Sequence, residues 1–253
     1  MNFSYIIAYR HSEDRAINLK TILKWVSQFD CEIIIVESDI SSKIDIFKEF
    51  KLKHIFLENN YPFNKSWCFN VGFKNAINDK IVFGDADLIM DSKSFLSSVE
   101  LLNSFECVNP YSSVLDLSPQ ETSNFINNFD MDNLYSISRS GRGENDHQKV
   151  PMCGGIIMFQ KQSLEKLVGW NEDFWGWGAE DDFMSNKAKL FLNCEDVKDK
   201  CYHLYHEKAQ IDRNLYYRNL NIYNYFLNVT KEQYIPYFES IKDKIGKIDK
   251  KIQ

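Results

Sequence analysis

A chain of 253 residues with 44% hydrophobic and 15% aromatic side chains is long enough for one large α/β domain with a helical appendage, and crowded for two. Its formal net charge of -6 excludes the basic face that nucleic-acid binding demands, so a small-molecule site is expected and nucleic acid is not among the expected partners. Six scattered cysteines, Cys31, Cys68, Cys107, Cys153, Cys194 and Cys201, form no Cys-x-x-Cys pair and read as reduced thiols of a cytoplasmic protein.

Residues 3–9 are apolar but far too short to span a bilayer, and Arg10, His11, Glu13, Asp14 and Arg15 follow at once, so they read as a first strand. Leu19, Ile22, Leu23 and Val26 then recur at helical spacing. The β-branched run 32–37, a short helix ending near Phe50, a strand at 54–57, a helix over 67–77 and a buried strand at 81–84 continue the alternation. Strand and helix in turn predict a mostly parallel sheet covered by helices. The polar stretch 111–149, with Arg139-Ser-Gly-Arg-Gly-Glu-Asn-Asp146, is expected to hold a short helix and a mobile loop. Structure resumes with a strand at 154–159, a helix from Gln162, a Gly/Trp loop, a helix at Glu180–Phe191 and two further helical segments past His206. In the tail, Ile241, Ile245, Ile248 and Ile252 fall on one helical stripe among five lysines. That pattern suits a helix docked on the core or a weak membrane-surface contact at the inner face.

Three clusters could carry chemistry. Ile81-Val-Phe-Gly-Asp-Ala-Asp87 ends a buried strand, where open α/β sheets bind ligands. On extended chain Asp85 and Asp87 would point to one side, one to ligate a hard divalent cation and the other to bind a sugar hydroxyl; such a pair also occurs in turns and caps. Trp175-Gly-Trp-Gly-Ala-Glu-Asp-Asp182 combines flexible glycines with flat apolar surfaces suited to a sugar ring, then opens a helix with three acids. The acids alone would also complement a helix dipole. In Cys201-Tyr-His-Leu-Tyr-His206, two histidines three apart would face opposite sides of a strand, so joint metal binding requires a turn. A zinc site with Cys194 and Cys201 matches no standard spacing.

Together these segments resemble the β-1,4-galactosyltransferase family, in the style of bacterial galactosyl- and N-acetylgalactosaminyltransferases of capsule or lipopolysaccharide synthesis. The blocks are Tyr5-Ile-Ile-Ala-Tyr-Arg10 with 32–37; Phe63-Asn-Lys-Ser-Trp-Cys-Phe-Asn-Val-Gly-Phe73 leading to Phe83-Gly-Asp-Ala-Asp-Leu-Ile89; Gly154-Gly155 leading to Gly169-Trp-Asn-Glu-Asp-Phe-Trp-Gly-Trp-Gly-Ala-Glu-Asp-Asp182; and His203 with His206. The resemblance implies a GT-A glycosyltransferase fold over 1–206, with a nucleotide half at 1–90 and an acceptor half at 91–206, and leaves 207–253 as a helical extension. It implies a uridine pocket of Ala8, Tyr9, Arg10 and Phe63, with Lys65 near the nucleotide and Asp85 on the donor. Asp87, His203 and His206 would hold Mn²⁺, with Mg²⁺ an alternative. Trp177 would line both sugars. Glu180, Asp181 and Asp182 would face the acceptor, with Asp181 as general base. Met152, before Gly154 and Gly155, takes the place that lies against the C2 substituent of the donor sugar.

The family pattern departs at Ser12, where a second arginine is common, and at Ala179, where glycine is usual; segment 111–149 has no clear counterpart. The implied activity is inverting, metal-dependent transfer of N-acetylgalactosamine or galactose from a UDP-sugar to a hydroxyl of a glycan or lipid-linked oligosaccharide, giving a β-linkage. The rivals are a binding protein of the same fold without turnover and a retaining transferase. A nucleotidyltransferase would show a Gly-rich phosphate loop after Tyr9, and none is present.

Overall fold

The computed structural model describes residues 2–145, 149–208 and 210–250. Strand β1 (Ser4–Tyr9) leads to helix α1 (Glu13–Val26), β2 (Glu32–Asp39), a 3-10 turn at Ile44–Phe47, β3 (Lys53–Glu58), α2 (Lys65–Asn75) and β4 (Lys80–Gly84). There follow β5 (Leu88–Met90), α3 (Ser92–Leu101), β6 (Cys107–Asn109), β7 (Ser113–Asp116), α4 (Pro119–Asn128) and α5 (Met131–Tyr135). The chain continues with β8 (Ile157–Gln160), α6 (Lys161–Lys166), α7 (Glu180–Phe191), β9 (Cys194–Asp196) and β10 (Lys200–His203), then α8 (Arg213–Phe226) and α9 (Lys231–Ile241).

The main sheet runs β3-β2-β1-β4-β8-β6-β9, with the first four of these strands parallel and β8 antiparallel to both β4 and β6. Its faces follow from the two-residue period of a strand. Tyr5, Ile7, Ile33 and Ile35 pack under α1 and α3, while Ile6, Ile34, Val36, Ile81 and Phe83 pack under α2, α6 and α7. Helix α2 lies close on β1 because Gly72 faces the sheet, where a Cβ would collide with the Ile6 side chain. The strand order turns back at β1, with β2 on one side and β4 on the other, so a crevice opens beyond the carboxyl ends of β1 and β4.

A second sheet, β5-β10-β7, is made of strands three or four residues long. It registers His203 beside Leu88 on β5 and beside Asp116 on β7, and Leu204 N donates to Asp87 O at 2.8 Å. Segment 111–149 therefore carries β7, two helices and a returning segment at 139–144 rather than one helix and a free loop; 146–148 lie outside the described residues.

The tail is not the helix that its isoleucine stripe suggested. Helix α9 ends at Ile241, and the chain then turns through Gly246 at φ +65°, so Ile245 is buried while Ile248 is about half exposed. Ile252 lies outside the described residues. The turn is anchored: Trp67 Nε1 donates to Lys247 O (2.7 Å), Gly246 N to Glu172 Oε1 (2.6 Å) and Lys250 Nζ to Glu172 Oε2 (2.8 Å). Docking through these bonds leaves no amphipathic helix among the described residues 242–250 to lie on a bilayer. No helix among the described residues is long and apolar enough to cross a membrane. All six cysteines are free.

Glu172, only 6% exposed, also accepts from Asn70 Nδ2 at 2.8 Å and so joins α2, the loop before α7 and the tail. Glu172→Ala is expected to lower unfolding stability by roughly 3 kcal/mol, the scale of breaking a buried charged pair, and to release the tail. Urea melts and limited proteolysis near Lys250 read both effects; a change under about 1 kcal/mol with an intact tail would mean that Glu172 is not the tie.

Candidate functional site

Two clusters meet at the carboxyl end of β4. In the first, Asp87, His203 and His206 each offer a ligand atom, and these atoms all lie within 4.8 Å of one another. His206 Nε2 is 3.2 Å from Asp87 Oδ2 and His203 Nε2 is 3.9 Å from Asp87 Oδ1. The three-residue spacing works because β10 ends at His203 and the chain leaves the strand before His206. His206 Nδ1 faces Glu207 O at 2.9 Å, so that nitrogen takes the donor role, and Nε2 is left either to donate to Asp87 when the ring is protonated or to offer its lone pair to a cation. Burial alone would raise the Asp87 pKa, but the His206 hydrogen bond and the two imidazoles outweigh it and hold the carboxyl below its usual range. The His206 pKa is raised, first through that same bond. One carboxylate and two imidazoles with converging lone pairs fit a divalent transition metal.

In the second cluster Lys65, the first residue of α2, places Nζ 2.7 Å from Asp181 Oδ1, 3.5 Å from Glu180 Oε1 and 3.7 Å from Asp85 Oδ1. Burial would lower the lysine pKa; the three carboxylates, Asp181 foremost, win and raise it. At Asp181 the balance is the reverse. Burial pushes its pKa well above the carboxylate range, and Lys65 offsets this only in part because Glu180 and Asp85 add negative charge. Burial likewise raises Asp85, which Lys65 partly offsets, and half-buried Asp182, to whose shift Glu180 adds.

Asp85 and Asp87 do not act as the matched pair that extended chain would give. Ala86 and Asp87 form a turn, and Asp85 faces Lys65 while Asp87 faces the histidines. The nucleotide-side residues divide as well. Ala8 and Phe63 each pack against the core on the α2 face of the sheet, and the Arg10 guanidinium sits 5.6 Å from the Phe63 ring centre. Arg10 is fixed by donating to Ser38 O (2.7 Å), Tyr61 O (2.8 Å) and Asn59 O (3.3 Å). Tyr9 points to the other face, where it packs on Phe47 in the core, so its side chain does not join this wall.

Met152 is 3% exposed, in the turn before β8. Tyr111 Oη donates to Gly154 O (2.7 Å) and accepts from Ile156 N (3.0 Å), and Gly155 takes φ +113°, where a Cβ would collide with Leu88 and Tyr111. Cys153 N donates to Ser185 Oγ (2.9 Å), which donates to Asp181 O (2.6 Å), so this turn is tied to α7 beside the acids. Trp177 is 61% exposed and stacks on Tyr216 of α8 at 5.6 Å and 24°. The loop that carries it is held by Arg218 donating to Asp173 O (2.6 Å) and Asn219 to Trp175 O (2.9 Å). Tyr111, Ser185, Tyr216, Asn219 and Asp116 had no sequence signal of their own.

Residues 146–207 match the family described as the N-terminal domain of galactosyltransferase. Among solved structures, TarS of S. aureus superposes with a TM-score of 0.59 at 17% identity, over 95% of this chain and 42% of that one. A mutant of Drosophila β1,4-galactosyltransferase 7, in complex with manganese, UDP-Gal and xylobiose, gives 0.51 at 15% identity over 85% and 78%. GalNAc-T7 with UDP, GalNAc and Mn²⁺ gives 0.58 at 13% over 96% and 54%. The chain thus spans less than half of TarS. The common architecture is the GT-A fold, as the sequence implied, and the resemblance to galactosyltransferases holds over the matched segment.

Ala179, the departure from glycine, caps α7 at φ +70°. Relief of left-handed strain, about 1–2 kcal/mol, would favour glycine there. A lost buried methyl, ~0.8 kcal/mol, and added freedom of the unfolded chain, ~0.4–1 kcal/mol, oppose it. Ala179→Gly is therefore expected to change stability by less than about 1 kcal/mol, while the β-branched Ala179→Val lowers it by more than about 2 kcal/mol. Equal denaturation midpoints for the two variants would contradict the assigned backbone.

Proposed function

We propose that this protein is a UDP-sugar-dependent, inverting glycosyltransferase that uses Mn²⁺ and forms a β-linkage to a glycan hydroxyl. The observation that carries the reading is the junction of the two clusters. Asp181 reaches Asp85 through Lys65, and Asp85 lies two residues from Asp87, His203 and His206. Residues 1–90 serve as the nucleotide half, 91–206 as the acceptor half and 207–253 as an extension of the same unit. Free cysteines suit a reducing, cytoplasmic location.

Asp87, His203 and His206 would hold the cation, which supplies positive charge against the diphosphate of the donor. Ala8, Arg10 and Phe63 hold the uracil end, and Trp177 stacks on sugar. Asp181 takes the acceptor hydroxyl proton as the oxygen bonds to C1 on the face opposite the departing UDP, so an α-linked donor gives a β-linked product. A buried carboxyl with a raised pKa is a stronger base than a solvated one, which suits this step.

Release of UDP from UDP-N-acetylgalactosamine and UDP-galactose, with Mn²⁺ and after chelation, tests the reading without an acceptor. Turnover is expected with Mn²⁺, weaker with Mg²⁺ and lost on chelation; full turnover in chelator would remove the metal from the reading. Buried Met152 offers the C2 acetamido group a flexible thioether, so kcat/KM should favour UDP-N-acetylgalactosamine, and Met152→Tyr should shift preference toward UDP-galactose. An unmoved preference would take the selector role from Met152.

Asp181→Asn is expected to lose about 100 to 10,000-fold in transfer while keeping Mn²⁺ and UDP binding. The wild-type rate should fall, as pH drops, through a pKa above the usual carboxylate range, because the raised group must be deprotonated to act. Glu180→Gln removes a charge that contributes to the rise, so the acid limb should move to lower pH. An acid limb unmoved by Glu180→Gln and absent in no variant would place the base elsewhere.

A further inference from the structure

Segment 111–149, which the family resemblance leaves without a role, ends β7 at Asp116 directly beside His203. Asp116 Oδ1 lies 3.0 Å from His203 Nδ1. With Nδ1–H turned to that carboxylate, Nε2 is left with its lone pair on the side of Asp87. His206 obtains the same tautomer from the neutral Glu207 carbonyl, so the two imidazoles are fixed alike but only His203 by a charge.

Asp116 is itself held. Arg142 Nε is 2.8 Å from its Oδ2, and an Arg142 terminal nitrogen donates to Oδ1 at 3.0 Å. Arg142 is bridged to β7 through both backbone bonds, Val114 N to Arg142 O (2.8 Å) and Arg142 N to Val114 O (2.7 Å). Arg139 donates to Asp116 O (2.7 Å) and pairs with Glu121 at 2.6 Å. This close fit requires glycine on either side of Arg142: a Cβ on Gly141 would stand 2.7 Å from Val114 O, and Gly143 takes φ +95° against Ser112 O. Asp116 and Arg142 are each about half exposed, so their ion pair adds little stability, and the investment in geometry needs another reason.

We propose that Asp116 is a positioning residue of the metal site, fixing the His203 tautomer and ring orientation, with the 139–144 segment as the brace that holds Asp116. The inference rests on the metal reading above. Outer partners of this kind are worth about 10 to 100-fold in metal affinity.

The test is Mn²⁺ binding to the whole chain, followed by electron paramagnetic resonance, for wild type, Asp116→Asn, Asp116→Ala, Asp116→Glu and Arg142→Ala. Nitrogen-15 NMR of the His203 ring in metal-free protein is the second readout. Asp116→Ala is expected to bind Mn²⁺ about 10 to 100-fold more weakly. Asp116→Asn should weaken it less and Arg142→Ala least, with Asp116→Glu recovering part of the loss. His203 should pass from one Nδ1–H tautomer to a mixture in Asp116→Ala. Because Asp116→Asn keeps the size of the side chain, it preserves the comparison if the alanine variant folds poorly. Wild-type affinity in both Asp116→Asn and Asp116→Ala, with an unchanged ring spectrum, overturns this proposal and leaves the metal reading standing. A wild-type chain with no Mn²⁺ affinity overturns both.

Discussion

Lys65 puts one ammonium among three carboxylates contributed by two distant parts of the chain, Asp85 after β4 and Glu180 with Asp181 at the start of α7. Three negative charges against one positive leave an excess of negative charge in a largely desolvated place. Without the lysine, mutual repulsion and burial would force proton uptake or separation of the strand end from the helix. A cation between the two halves of the crevice offsets part of that repulsion, and burial, with Glu180 and Asp85 adding to it, keeps the Asp181 pKa raised. That contact fixes the orientation of the Asp181 carboxylate, while burial supplies the rise in its pKa. The lysine stands at a helix N-terminus, where its charge opposes the helix dipole, and Asn64 caps that helix from its side chain to Trp67 N.

Much of this layout is visible in the chain itself, for a definite reason. Strands β1, β2 and β4 are buried on both faces, so they appear as unbroken apolar runs, and α7 is announced by its acidic start after a glycine-rich loop. The second sheet has no such signature. Its strands are three or four residues long, too short for a period to register, yet they carry His203 to Asp87 and Asp116 to His203. Side-chain direction is the other gap. The alternation of β1 sends Tyr9 into the core and leaves Ala8 and Arg10 beside Phe63, and the turn at Ala86 separates the tasks of Asp85 and Asp87. For Asp181, the sequence shows the helix start but not the burial, and burial outweighs a dipole that is worth under about 1 kcal/mol at an exposed terminus.

The glycine-rich loop and the tail are each tied to a neighbour. The Trp175–Trp177 region is bonded to α8 through Asn219 and Arg218, and the Trp177 ring lies on Tyr216. The tail is bonded to Glu172, three residues before Trp175. Gly178 lies under the Tyr216 ring at a φ of +107°, so neither the glycine nor the tyrosine is free to change alone. Any movement of this loop must break or carry along the α8 contacts, which couples α8 to the loop.

That arrangement assigns mobility and rigidity to different groups. Asp181 is tied at its backbone to Ser185 and through it to the turn bearing Met152, so the proposed base and the proposed donor-sugar turn share one support on α7. Trp177 has its ring exposed and rests on one aromatic partner, an interaction worth about 0.5–1.5 kcal/mol beyond burial. Such a contact is small enough for a bound sugar to replace, whereas the Lys65 cluster and the Tyr111 bonds to Gly154 and Ile156 are buried and are not. On the proposed assignment, the groups that would hold position during proton transfer sit on the tightly bonded side of the crevice, and the exposed Trp177 ring sits on a loop whose hold could be exchanged for substrate.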